Sequence, residues 1–157
     1  MQAAAFCRSP SFRSPILKFD DASWHYGGDF PDELPQEAGA THIGMFVAWC
    51  LLNGLAGDVY TTELASAFEK LRSRASTPGA WFLHVCDGKF TDEDLNDDGA
   101  AFAESYYDGD TPQYLEDYDN TLGSELESLY HVPDTWASYD ALAPILAPRF
   151  KEWKKAA

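Results

Sequence analysis

"THIGMFVAWCLLNG", residues 41–54, is the stretch on which the fold class turns. Ile43, Phe46, Val47, Cys50 and Leu51 recur at i, i+3, i+4, i+7 and i+8, the spacing of one helical face. Met45, Trp49 and Leu52 make the segment apolar nearly all round, which predicts a central, buried helix. Thr41 is placed to cap its start, and Asn53-Gly54 to stop it.

Working outward, further helices follow. "TTELASAFEKLRSR" puts Leu64, Phe68 and Leu71 on one face, with Lys70, Arg72 and Arg74 near the C-terminal end, where the helix dipole favours cations. "TPGAWFLHVCDG" has Thr77 as a cap, Pro78 in the first turn, a stripe of Trp81, Phe82 and Val85, and a stop at Asp87-Gly88. "TDEDL" predicts a short helix capped by Thr91. "DDGAAFAESYY" pairs Phe102 with Tyr106, and "TPQYLEDYDNTLG" aligns Tyr114, Leu115, Tyr118 and Leu122 behind Thr111 and Pro112. The last segment, "PDTWASYDALAPILAPRFKEWKK", spaces Trp136, Tyr139, Ala143, Leu146, Phe150 and Trp153 by threes and fours, and Pro144 and Pro148 are expected to kink or split it. No stretch sustains a period of two.

Residues 16–40 carry Gly-Gly, two Pro and scattered acids, the chemistry of loops and turns. Trp24, Tyr26 and Phe30 are expected to anchor this segment on the core, with room for a small β-hairpin around Trp24–Phe30. Residues 1–15 read as a flexible leader without the apolar run of a secretion signal. The expectation is a mainly α protein, a single compact helical domain over 16–157 with an irregular N-terminal segment.

Composition narrows the function classes. The chain has 157 residues, 45% apolar and 15% aromatic, enough for a real core and unlike a disordered chain. No run of eighteen apolar residues exists, so no membrane span is expected. Three cysteines, Cys7, Cys50 and Cys86, lack the pairing or spacing of a disulfide scaffold or zinc knuckle and point to a reducing, cytoplasmic setting. The net charge is −15, and residues 90–148 hold fifteen Asp and Glu with no Lys or Arg. The remainder is balanced, eleven against eleven. Such a field repels nucleic acid and anionic membrane, attracts a cationic partner, and disfavours close self-contact beyond a monomer or weak dimer.

Sequence chemistry offers few catalytic motifs. "DLNDDGAAFAES" opens like a calcium loop, but Ser105 stands where a bidentate Glu should close the shell. None of His25, His42, His84 and His131 has zinc-motif spacing, and the expected reading is structural, without a cofactor. A metal or acid–base site built from Asp20, Asp21, His25 and His42 is the alternative, as in a small metal-dependent hydrolase. No nucleophile elbow or phosphate loop is present. By contrast, "ESYYDGDTPQYLEDYD" interleaves Tyr with carboxylates, a composition suited to Lys and Arg. Tyr106, Tyr107, Tyr114 and Tyr118 are not all expected in the core, Tyr107 lying off the Phe102/Tyr106 face.

The phrases "DDASWHYGGDFP", "EAGATHIGMFVAW", "CDGKFTDEDL" and "SLYHVPDTWASYDALAPIL" together resemble a family of small acidic bacterial proteins classed as a domain of unknown function, from about Lys18 to Trp153. The resemblance transfers no catalytic residue. It implies an association with secreted-toxin systems, as immunity proteins. The expected function is therefore non-enzymatic: neutralising a cognate toxin, a basic protein, through an acidic helical face. Asp94, Asp97, Asp98, Glu104, Tyr107, Asp108, Asp110, Glu116 and Asp117 are its expected contacts.

Overall fold

A computed structural model describes residues 16–28, 30–108 and 112–157. The expected leader, 1–15, lies outside the described residues. Strand β1 (Lys18–Asp21) pairs antiparallel with β2 (Lys89–Thr91). Among the described residues, six helices follow one another as α1 (Thr41–Leu52), α2 (Ala65–Arg72), α3 (Pro78–Cys86), α4 (Asp97–Tyr106), α5 (Gln113–Tyr118) and α6 (Trp136–Ala156). Short 3-10 turns join several of them, and α5 runs on into a π turn over Asp119–Gly123. The fold is mainly α with one small sheet.

Helix α1 is the hub, and eleven of its twelve residues are buried. Removing one large apolar side chain from water contributes roughly 1.5–3 kcal/mol, so this helix carries much of the core. Phe46 alone lies 4.9–6.1 Å, centroid to centroid, from the rings of Phe90, Phe102, Tyr106, Tyr107 and Tyr114. α3 crosses α1 closely because Gly44 has no side chain: a Cβ there would sit 2.6 Å from the Pro78 carbonyl oxygen. Asp87 and Gly88, both at positive φ, then turn the chain from α3 into β2.

Several details differ from the sequence reading. Thr41 is the first residue of α1 rather than its cap, because a 3-10 turn over Gln36–Ala40 runs straight into the helix. The β element is not local to Trp24–Phe30, since β1 finds its partner at Lys89–Thr91 and Ala22–His25 forms a 3-10 turn. Trp24 is 59% exposed and anchors nothing in the core, while Tyr26 packs against it. Thr77 does bound α3, but its hydroxyl donates to Asp134 instead of capping. Asp134 in turn accepts from Gly79 N (2.7 Å) and Ala80 N (3.0 Å), so the cap comes from a distant loop.

α6 is not split. Its 21 residues continue through Pro144 and Pro148. Each proline removes one intrahelical hydrogen bond, at about 3 kcal/mol or more in an isolated helix. Tertiary contacts along the helix offset this. Leu142 and Leu146 are fully buried, Phe150 packs on Trp49 and Phe102, and Trp136 Nε1 donates to Ser76 O at 2.9 Å.

Candidate functional site

The nine residues expected at a docking face divide. Asp97, Asp98, Glu104, Asp108 and Glu116 are exposed. Asp97, Glu104 and Asp108, with Ala101 between, follow spacings of four, three and four, so they form one outward ridge along α4 and its exit. Asp97, Glu104 and Glu116 make no ion pair with a described residue, while Asp98 receives Lys154 at 2.6 Å. Asp110 lies outside the described residues.

The other three turn inward. Asp94 is half-buried, accepting from Tyr60 OH (2.7 Å) and from Thr91 N (3.0 Å) in the capping box of the turn over Asp92–Asp94. Burial raises its pKa, and those hydrogen bonds oppose the shift. Asp117 is buried against α6, where it receives Arg149 Nε (2.9 Å) and Nη2 (3.0 Å) and Tyr106 OH (2.6 Å). Tyr107 is buried too, as are Tyr106, Tyr114 and Tyr118. Neighbouring helical residues point about 100° apart. Both rings pack against Phe46 and Tyr114, from which Tyr106 reaches on to Phe102 and Asp117 and Tyr107, just past the end of α4, to Phe90 of β2.

A second constellation is assembled at the other end of Tyr107. Its hydroxyl donates to Asp20 Oδ2 at 2.5 Å. Asp20 comes from β1, His25 from the 3-10 turn just after it, and His42 from the first turn of α1. One ligand atom from each of the three lies within 4.8 Å of the others. His25 Nε2 is 2.8 Å from Asp20 Oδ1, and its Nδ1 is 2.8 Å from Tyr130 OH. His42 Nε2 stands 3.7 Å from Asp20 Oδ2, an electrostatic contact too long for a hydrogen bond. The two imidazoles meet edge to face, with centroids 4.5 Å apart.

Asp21 does not join this cluster. Its carboxylate accepts from Ser23 N and Oγ and from Lys18 Nζ, and so caps the turn that presents His25. His84 and His131 lie outside the cluster, and His131 pairs with Glu33 at 2.9 Å. Tyr107 and Tyr130 were missed as partners of Asp20 and His25, because they stand 87 and 105 residues away in the chain and carry no local signal.

The electrostatics of the cluster are lopsided. Burial acts to raise the Asp20 pKa, but hydrogen bonding with His25, the adjacent His42 and Tyr107 OH outweighs it and leaves the carboxyl far below the usual range. His42 is completely buried, which lowers its pKa despite the pull of Asp20, so its neutral form is favoured. Both ring nitrogens of that neutral imidazole lack a hydrogen-bond partner. The hydroxyl of Tyr118, whose ring lies 6.1 Å from His42, is also buried without one. Elsewhere Cys86 sits 3.4 Å from Tyr60 OH beside Asp94, and burial and that carboxylate raise its pKa, so it is a poor nucleophile.

Residues 18–132 match the family model described as "Domain of unknown function (DUF7832)". The match begins where the resemblance read from the sequence does and ends at Val132, short of α6. No curated protein and no solved structure matches. No helix among the described residues is long and apolar enough to cross a membrane.

Proposed function

We propose, for a chain that belongs to the DUF7832 family of unknown function, an immunity-like role: it binds a basic protein, a cognate bacterial toxin, and neutralises it by covering a cationic surface. The observation that carries this reading is the exposed ridge of Asp97, Glu104 and Asp108, set in a segment with no Lys or Arg from 90 to 148. Asp98, also on α4, and the exposed Glu116 on α5 are further contacts. Asp94, Tyr107 and Asp117 serve from inside: they hold α4 and α5 in place and are unavailable to a partner. The toxin assignment itself rests on the resemblance between the quoted phrases and acidic, toxin-associated proteins.

The role requires no reaction, only fast and salt-sensitive association in the cytoplasm as a monomer or weak dimer. The direct test is co-expression with the product of the adjacent gene. Rescue of growth arrested by that product, with recovery of a stoichiometric complex, is the expected result. Unrelieved growth arrest and separate elution of the two proteins would overturn the reading.

A further inference from the structure

We propose that Asp20, His25 and His42 form a binding site for a divalent first-row transition ion, with coordination positions left over for water or a small ligand. This assignment is independent of the docking ridge.

Two separate observations point to an ion. The first is donor geometry. Nitrogen and oxygen ligands bind such ions at about 2.0–2.2 Å, so two donors on one ion lie no more than about 4.4 Å apart. Donor atoms of Asp20, His25 and His42 already lie within 4.8 Å of one another, close enough for side-chain adjustment to bring all three onto one ion. The second is the state of His42. It is fully buried, yet neither Nδ1 nor Nε2 has a partner, and Nε2 stands 3.7 Å from Asp20 Oδ2. A buried polar group left without a partner is destabilising, so its persistence calls for an occupant.

The surroundings have the form of an outer shell. Ligating imidazoles are commonly oriented by a bond to their other ring nitrogen, and ligating carboxylates by a donor to their second oxygen. Tyr130 OH holds His25 Nδ1, which aims Nε2 at Asp20, and Tyr107 OH holds Asp20 Oδ2. Imidazole donors select transition ions over Mg2+ and Ca2+, which prefer all-oxygen shells. Two His and one carboxylate fall short of the four ligands of a structural zinc site and match sites that keep positions open. His25 is only half-buried, so the cluster reaches the solvent boundary on its side. The exposed group of Glu33, Glu127 and His131 also brings three donors together, but it leaves no buried donor unsatisfied, so it serves as the control.

The test is calorimetric titration of chelator-stripped full-length protein with Zn2+, with Co2+ as a spectroscopic probe. One equivalent is expected to bind, with ligand-field bands for Co2+ and a raised melting temperature. His25→Ala, at a half-buried position, should lose at least 100-fold in affinity while its circular dichroism stays unchanged. Tyr130→Phe should lose about tenfold, as expected for a positioning residue. His131→Ala should bind like the wild type. Absence of stoichiometric binding, or equal binding by His25→Ala and wild type, would overturn the proposal. So would a loss confined to His131→Ala.

Discussion

At the scale of single residues, His42 carries the sharpest energetic consequence. Its unfolded-state pKa is near 6.5, and its folded value is lower because burial disfavours the imidazolium. Below about pH 6.5 the unfolded chain therefore binds a proton that the native state resists. The stability tied to a neutral His42 is present above that pH and is lost as the pH falls through the folded value. Asp20 acts in a separate, more acidic window. Its folded pKa is depressed, so its contribution is complete above about pH 4 and disappears only on further acidification. In metal-free protein the urea midpoint should fall between pH 7.5 and pH 5.5, His42 supplying up to about 1.4 kcal/mol per pH unit. His42→Gln, which cannot titrate, should show a visibly smaller fall. His25, His84 and His131 are common to both proteins, so an equal fall in the two would refute this account of His42.

At the scale of elements, α3 shows what local reading captures and what it misses. Its stripe and its Asp87-Gly88 stop were legible, because periodicity and positive φ are local properties. Its cap was not, because Asp134 arrives from 55 residues away to accept from Gly79 N. Asp134→Ala should cost about 1–2 kcal/mol in chemical denaturation, the value of a lost N-terminal cap, and Asp134→Asn about half of that or less. No change for the Ala variant would show that the cap contributes nothing. The same division runs through the fold. α1 and α4 followed from spacing alone, whereas the continuity of α6 through two prolines depends on Trp49, Phe102 and Ser76, which only the folded state brings near. Burial of Tyr107 beside Tyr106 likewise depends on Phe46 and Tyr114, distant in the chain, which pack against both rings. Of the site, Asp20, His25 and His42 were on the page as residue types. The exclusion of Asp21, and the entry of Tyr107 and Tyr130, depended on where β1 and the turn after it are held.

At the scale of the whole molecule, the question is what the excess of negative charge does. Part of it is internal: Asp20, Asp94 and Asp117 each accept several hydrogen bonds and are spent on holding elements together. The remainder is at the surface, and α4 with its exit gathers three of those carboxylates on one ridge. Charge that served solubility alone would act through its total, and its position would not matter. Charge that serves docking acts through its place. Two triple variants with the same net charge separate these cases. Asp97→Lys, Glu104→Lys, Asp108→Lys reverses the ridge, and Asp58→Lys, Glu63→Lys, Glu69→Lys reverses exposed acids near and on α2. The decisive measurement is the association rate of each with the proposed partner, the basic toxin encoded next door, by stopped flow at low and high salt. The ridge variant should associate at least tenfold more slowly at low salt and lose most of its salt dependence, while the α2 variant stays within about threefold of wild type. Equal slowing of both variants, or rates indifferent to salt and to either reversal, would contradict the docking function.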